Sequence, residues 1–584
     1  MIQKLARCIR EYKKPTILTP LSMMAEVVLE VLLPLVMADL IDNGINGGNS
    51  GVIWRDGILL VVISVLSLFS GIGGAVFGAR ASTGFAKNLR HDMFHHLQDY
   101  SFANIDRFSS SSLITRMTTD VTNVQNAFQM IIRMAARGPL MLIFSMIMAF
   151  TINARLALIF VAATPLLGVG LYYVSSHAHP VFQQMFKTFD KLNNVVQENV
   201  RGMRVVKSFV REDFEDRKFE NISGEVSGLS IKAERILALN SPFMQTAMYA
   251  CTLLISWFGT KIIVNSAGVP GGMTTGELNS LLTYAMQVLS SLMMLSFVFV
   301  MITISRASAE RICAVLDEES DIVNPENPVA EVPDGSVEFE NVSFSYAGKG
   351  GTNCLNNVNI RIASGETVGI IGGTGSSKST LVQLIPRLYD ATEGVVKVGG
   401  IDVRRYDLEA LRTSVAMVLQ KNVLFSGTIS ENLRWGNEDA TNEEILEACK
   451  LAQAHEFIQN FPEGYETFIE QGGSNVSGGQ KQRLCIARAI LKKPRILILD
   501  DSTSAVDTRT DALIRAAMRT VIPGTTKFII AQRIASVMDA DKILVLDGGR
   551  VNGFGTHEEL LETNEIYREV YESQTKGGDA DDCE

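Results

Sequence analysis

Ile371-Gly372-Gly373-Thr374-Gly375-Ser376-Ser377-Lys378-Ser379-Thr380-Leu381 is the stretch on which the fold turns. The apolar run Thr367 to Ile371 before it reads as a buried parallel strand, and Leu381 to Leu388 after it carries helical spacing. A glycine-rich turn, a lysine and a hydroxyl between strand and helix make a phosphate-cradling loop. Backbone N–H groups face the phosphates, Lys378 reaches the outer ones, and Ser379 is placed to ligate Mg²⁺. Gly372, Thr374, Gly375, Ser376, Ser377 and Thr380 complete the candidate triphosphate contacts. In the pattern G-x-x-x-x-G-K-[ST], Ser377 stands where the last glycine is expected. A flexible loop with an incidental lysine is the competing reading, and a second motif downstream argues against it.

That motif is Arg495-Ile496-Leu497-Ile498-Leu499-Asp500-Asp501, a buried strand ending in two acids. An acid at a strand tip holds Mg²⁺, and the next residue orients a nucleophilic water. Asp500 suits the first role and Asp501 occupies the second. Between the two motifs lies Val476-Ser477-Gly478-Gly479-Gln480-Lys481-Gln482-Arg483. Upstream, Val337 to Tyr346 alternates like an antiparallel strand pair, and Tyr346 at its end offers a ring for an adenine.

Composition sets the frame. The chain has 584 residues, 47% hydrophobic and 20% charged, a mixture that fits a membrane half joined to a soluble half. A net charge of −10 argues against a nucleic-acid partner. Seven scattered cysteines without C-x-x-C spacing argue against a disulfide framework or a zinc site, and for a reducing compartment.

Residues 1–14 mix Lys4, Arg7, Arg10, Lys13 and Lys14 with Ile2, Leu5, Ile9 and Tyr12, like an interfacial amphipathic helix. Hydrophobic stretches follow at Pro15–Leu40, Gly57–Ala79, Gly138–Ile152, Leu156–Val174, Pro242–Val264 and Leu278–Ile304. The third is short and is expected to extend backward through Phe128 to Ala136. Pro34, Pro139 and Pro165 fit membrane helices if neighbours satisfy the freed carbonyls. Lys and Arg crowd the connections after the second and fourth stretches, which places those connections and both termini in the cytoplasm. The same connections have helical apolar spacing, so the membrane helices are expected to continue into the cytoplasm. Segments near Phe102–Ser109 and Phe209–Phe214, at the turning points, are placed to dock on another domain.

Glu26 and Glu30 lie one turn apart near the middle of the first membrane helix. A central carboxylate costs about 2.5–3.5 kcal/mol on insertion scales, so both must face a cavity or a partner. One reading is a substrate cavity favouring cationic amphipathic compounds; the other is a pair hydrogen-bonded to a neighbouring helix. Met286, Met293, Met294 and Met301, with Phe297 and Phe299, enrich the sixth helix as packing or as an adaptable substrate wall. His91, His95 and His96 have metal-like spacing but read as surface or packing histidines. Residues 577–584 read as a solvated acidic tail.

The loop, the Ser-Gly-Gly-Gln turn and the strand-tip acids, in this order, resemble the ATP-binding-cassette (ABC) family. The whole chain is similar to one half of an ABC exporter. The expected fold is multi-domain: a six-helix all-α transmembrane domain fused to an α/β P-loop nucleotide-binding domain. The expected boundaries are 1–14 for the N-terminal helix, 15–319 for the transmembrane domain, 320–335 for a linker, 336–574 for the nucleotide-binding domain and 575–584 for the tail. The resemblance implies ATP and Mg²⁺ as cofactors and makes Tyr346 the adenine-stacking aromatic. Gln420 becomes a Mg²⁺ contact that signals to the membrane helices. Ser477, Gly478, Gly479 and Gln480 become the signature that meets ATP held by an opposite subunit. It also implies the bilayer, a small amphipathic substrate and a second half-transporter as partners.

Three departures bear on that resemblance. Asp501 replaces the family's catalytic Glu, withdrawing the carboxylate by about 1.5 Å. Gln532 stands at the switch histidine and cannot shuttle a proton. Ser377 is the third. The pattern is similar to the degenerate-site chain of bacterial heterodimeric multidrug exporters, in which the partner hydrolyses and this chain supplies the signature. An importer of siderophore or metal-chelate complexes with the same fold, and an ATP-gated regulatory subunit or channel, are the alternatives.

Overall fold

The computed structural model describes residues 1–265, 272–348, 350–502 and 504–576. The expected acidic tail lies outside the described residues. The chain divides into two compact units, Met1–Gln98 with Ser109–Glu318 and Asp99–Phe108 with Glu319–Glu584.

The first unit is helical, and among the described residues six helices are long and apolar enough to cross a membrane. The first runs Lys13–Asp39 and ends in a π-helical turn, Leu40–Asn46. The second is Ser50–Gln98, the third Val121–Ile152 and the fourth Ala154–Ser208. Glu212–Ala238 leads through Leu239 into Asn240–Asn265, the fifth, and the sixth is Thr275–Leu316. The fourth helix has 55 residues. At 1.5 Å per residue it is about 80 Å long, far beyond the roughly 30 Å of a hydrocarbon core. The helix therefore continues well beyond the span of a bilayer core, and the third helix does extend back past Ala136.

The first and sixth membrane helices are joined by side chains on one face of the sixth. Ser280 Oγ donates to the Pro34 carbonyl (2.5 Å) and Tyr284 Oη to that of Val31 (2.7 Å). Gln287 Nε2 reaches the Glu30 carbonyl at 3.5 Å. Pro34 has no N–H, so the Glu30 carbonyl one turn back loses its helical donor. With no water in the bilayer core, a neighbouring helix must supply the replacement.

The second unit holds two main sheets. β1 (Val337–Phe344), β2 (Leu355–Ile362), β4 (Glu393–Val398) and β5 (Ile401–Asp402) form an antiparallel sheet in the order β2-β1-β4-β5. The central sheet contains β3 (Thr367–Ile371), β6 (Val415–Val418), β9 (Ile496–Asp500), β10 (Thr526–Ile530), β11 (Lys542–Asp547) and β12 (Arg550–Gly555). Its order is β12-β11-β3-β10-β9-β6, parallel except for β12 at one edge. β7 (Gly427–Thr428) and β8 (Phe468–Ile469) make a small separate pair. Leu497 and Leu499 enter the hydrophobic cluster on one face of the central sheet, and Ile496 and Ile498 the cluster on the other. Burial on both faces explains the unbroken apolar runs that mark these strands in the sequence.

Phe102–Arg107, the first expected docking segment, is a short helix with a Ser101–Asn104 capping box, and by its contacts it belongs to the second unit. Tyr389 Oη donates to Asp106 Oδ2 (2.5 Å), Asn104 Nδ2 donates to the Glu319 carbonyl (3.1 Å), and Ala103 packs on the core. Two local expectations are corrected. Val337–Phe344 is one strand rather than a pair; its alternation breaks after Glu340, where its register with both β2 and β4 shifts. The helix after the phosphate loop spans Lys378–Gln383 rather than reaching Leu388. Pro386 disfavours helical geometry before it, and Arg387 takes a positive φ of 52°.

Tyr284 is fully buried, so Tyr284→Phe removes one intramembrane hydrogen bond without opening a cavity. We expect a loss of roughly 0.5–1.5 kcal/mol, read as a lower midpoint of detergent-induced unfolding. An unchanged midpoint contradicts a stabilising role for the bond.

Candidate functional site

Parallel pairing brings four strand ends to one edge. Ile370 pairs with Ile530, Ile530 with Asp500, and Leu499 with Val418. The residues just beyond these strands are therefore neighbours: Gly372 after β3, Gln532 after β10, Asp501 after β9 and Gln420 after β6. Ligands of open α/β sheets bind beyond these carboxyl ends.

The phosphate loop is shaped by its backbone. A Cβ at Gly372 would sit 2.2 Å from the Leu546 carbonyl oxygen, so only glycine fits. Gly375 has φ +83°, and Ser377 has φ +69°, a left-handed conformation that glycine adopts freely and serine at a cost of about 1–2 kcal/mol. Ser377 thus keeps the glycine geometry while adding a hydroxymethyl group. Thr374 and Gly375 are exposed, whereas Ser376 and Thr380 are buried. Lys378 Nζ donates to the carbonyls of Gly372 (2.8 Å) and Gly373 (2.9 Å) and lies 3.3 Å from Ser376 Oγ. Burial pushes its pKa down from the usual lysine range. A triphosphate is the charge that would reverse that shift.

Ser379 Oγ donates to Asp500 Oδ1 at 2.9 Å. Burial also raises the Asp500 pKa, with the Asp501 charge adding to it, although the Ser379 bond opposes the rise. Hard oxygen donors beside a carboxylate short of positive charge fit Mg²⁺. Gln420 is exposed two residues past β6 and has no protein hydrogen-bond partner among the described residues. Its side chain is available as a third donor.

Asp501, next in the chain, is nearly buried and has φ +49°; its N–H donates to the Ile530 carbonyl at 3.1 Å. Gln532 Nε2 donates to Asp501 Oδ2 at 2.9 Å. The two departures noted in the sequence are therefore hydrogen-bonded to each other. An amide fixes the carboxylate where a proton-transferring pair would otherwise stand. Gln574, from the C-terminal helix Glu565–Lys576, donates to the Gln532 carbonyl (2.9 Å) and accepts from the Ile534 N–H (2.8 Å), holding the loop after β10 at two points.

Ser477 and Gln480 open the helix Gly478–Leu491 as a capping box: Gln480 N–H donates to Ser477 Oγ (3.3 Å) and Ser477 N–H to Gln480 Oε1 (2.9 Å). A Cβ on Gly479 would come within 2.8 Å of the Ala505 carbonyl oxygen, which explains the glycine. Gln482 Oε1 accepts from the Ala505 N–H at 3.0 Å and ties this helix to the loop after Asp501. Among the described residues no hydrogen bond joins the Ser477–Gln480 turn to the Lys378 loop.

Tyr346 follows β1, half exposed, with Oη 3.1 Å from Thr380 Oγ1. Its ring meets Tyr389 edge-on at 5.2 Å, and Tyr389 lies 6.1 Å from the Phe102 ring. Sequence reasoning missed Tyr389, the residue that links the candidate adenine platform to the docking helix.

In the membrane unit Glu26 and Glu30 share one cation. Arg137 of the third helix donates to Glu26 Oε1 at 2.9 Å and to both oxygens of Glu30 at 2.8 Å. Glu26 Oε2 is buried without a hydrogen-bond partner among the described residues. Gly71 leaves room for this group, since a Cβ there would lie 3.0 Å from Glu26 Oε1. Arg137 too was missed by sequence reasoning, although a cation beside an apolar run is the partner that two intramembrane acids require. Nearby, a cavity of about 340 Å³ is lined by Met244, Met248, Met286 and Met293 with Gln245 and Gln287. Met294, Met301, Phe297 and Phe299 do not line it. Among the described residues no cluster of His, Cys, Asp or Glu is arranged for a metal ion, and His96 Nε2 lies 2.7 Å from the Glu318 carbonyl oxygen.

Comparison with known proteins agrees with this architecture. Residues 16–303 match the ABC transporter transmembrane region and residues 355–504 the ABC transporter domain. An uncharacterized ABC transporter ATP-binding protein of Bacillus subtilis, YfiB, is 35% identical over the full length of both chains. A Bacillus subtilis protein named for multidrug export, YgaD, is 31% identical over 98% of this chain and 99% of its own. The ATP-dependent lipid A-core flippase of Hahella chejuensis is 32% identical over 90% of each. A bacterial Atm1-family ABC exporter solved with ATP bound has the same fold, with a TM-score of 0.81 and 24% identity over 96% of this chain and 99% of that one. The chain thus belongs to the ABC transporters, as a multi-pass, exporter-type half-transporter whose C-terminal ATP-binding domain lies in the cytoplasm and couples ATPase chemistry to transport.

Proposed function

We propose that this chain is one half of a heterodimeric exporter of amphipathic, drug-like compounds, and that its own nucleotide site holds Mg-ATP without cutting it. The observation that carries this reading is the 2.9 Å hydrogen bond from Gln532 to Asp501. Mg-ATP would be held by Lys378, Ser379 and Asp500, with Gln420 as a further Mg²⁺ ligand and Tyr346 against the adenine. Bound Mg²⁺ neutralises phosphate charge. Hydrolysis also needs a water placed in line and a group to take its proton. Asp501 is one methylene short and held by an amide, and Gln532 has no proton to exchange. A positioned acid–base group is worth about 10²–10⁴ in rate, so the loss of both leaves a slow site.

The signature Ser477-Gly478-Gly479-Gln480 is intact and would close on ATP held by the partner's phosphate loop. Two further features favour a two-chain assembly. Phe209, Val210 and Phe214 are strongly exposed at the turn between the fourth and fifth helices. A groove of about 310 Å³ in the nucleotide-binding unit is lined by Met417, Leu419, Phe425, Trp435 and Arg488. An apolar turn of the partner suits that groove, and this chain's turn suits the partner's. Relatives named for multidrug export and for a lipid A flippase fit amphipathic cargo. Within the membrane unit the methionine-lined cavity would take the apolar body of a substrate. The Glu26–Arg137–Glu30 group, with one negative charge in excess, would favour a cationic end.

Two experiments test this. In the purified pair, with the partner's catalytic acid disabled, Asp501→Glu combined with Gln532→His should raise ATP turnover about 100-fold. Turnover by the unmodified chain already at the level of the double variant removes the degenerate-site reading. Glu26→Gln with Glu30→Gln should reduce transport of a cationic dye several-fold more than that of a neutral one. Equal rates for both substrates, before and after substitution, leave the carboxylates a structural role alone.

A further inference from the structure

A second apolar cavity of the membrane unit, about 580 Å³, lies under the N-terminal helix Ile2–Arg7. Leu5 and Ile9 form one wall, the stacked rings of Phe85 and Phe128 (4.7 Å apart) another, and Ile302 of the sixth helix a third. Its volume falls within the roughly 300–1,000 Å³ of small-ligand sites. The lining is apolar apart from Ser305 and Arg306, and Ser305 Oγ is already bonded to the Asn123 carbonyl at 3.1 Å. Arg306 is different. It is exposed, and its Nε donates to Glu310 at 3.0 Å. Its two terminal nitrogens have no protein acceptor among the described residues. A planar guanidinium with free terminal donors suits a phosphate oxygen pair.

The position matters as much as the lining. The N-terminal helix is amphipathic and basic, as a segment lying at the cytoplasmic interface is, and Arg7 on it has no ion-pair partner among the described residues. An apolar slot at that depth, with a guanidinium among its lining residues whose terminal nitrogens still have donors to give, matches a lipid with its tail inside and its headgroup at the interface. We infer that this cavity binds one acyl chain of an inner-leaflet phospholipid and that Arg306 holds its phosphate, with a preference for anionic headgroups. The site is separate from the nucleotide edge and from the Glu26–Arg137–Glu30 group, and the inference does not depend on either proposed role.

The test is native mass spectrometry of the purified full chain, offered equal amounts of phosphatidylglycerol and phosphatidylcholine with matched tails, then washed with detergent. One phospholipid should remain per chain, with phosphatidylglycerol favoured about five-fold, the attraction of a single cation at a membrane surface. Arg306→Gln should keep the lipid and lose the preference. Ala127→Trp fills the cavity and should lose the lipid while the melting temperature holds; if that variant fails to fold, the Arg306→Gln comparison decides. No retained lipid, equal retention of the two headgroups by the unmodified chain, or a preference that survives Arg306→Gln overturns the inference.

Discussion

The parallel alignment of β3, β10, β9 and β6 is the constraint on which the nucleotide half depends. It ends four strands at one edge and sets Gly372, Gln532, Asp501 and Gln420 beside one another, although they span 160 residues of sequence from first to last. The sheet is buried on both faces, and the pairings of β3, β10, β9 and β6 hold these strand ends in fixed register. Rigidity at the edge makes a single hydrogen bond there consequential. Gln532 and Asp501 meet because Ile530 pairs with Asp500, and they stay together because Asp501 and Gln574 fasten the adjoining backbone.

The membrane half obeys a different rule. Water is absent, so each polar group must be answered by protein. Pro34 removes a helical donor and Gln287 of the sixth helix reaches the freed Glu30 carbonyl, while Ser280 and Tyr284 add bonds to neighbouring carbonyls; Glu26 and Glu30 bring charge and Arg137 answers it. The answer to the acids is incomplete, since among the described residues one buried Glu26 oxygen has no donor. Gln287 reaches the main chain of Glu30 and lines the methionine-lined cavity, so it stands between the charged and apolar parts of the membrane interior.

Local chemistry was legible in the sequence wherever a motif is contiguous. The phosphate loop, the strand-tip acids, the Ser477–Gln480 turn, the membrane helices and the docking segment at Phe102 can all be read from short windows, and the fold follows from their order. Contacts between distant positions could not be read that way. Nothing in the spacing of Asp501 and Gln532 says that they touch, because the pairing of β9 with β10 brings them together. Arg137 escaped because a hydropathy window ends at a charge, and Tyr389 because a lone aromatic carries no periodic signal. The helix after Lys378 was drawn too long because apolar spacing continues past Pro386, where backbone sterics end the helix regardless.

The central claim is that this polypeptide grips a nucleoside triphosphate and leaves it whole. The most direct measurement is the chemical state of nucleotide retained by the purified chain in lipid nanodiscs after incubation with Mg-ATP, acid quench and chromatography. Intact ATP, bound at about one per chain with turnover at background, is the predicted outcome. Bound ADP, with sustained phosphate release by the chain alone, would contradict the account.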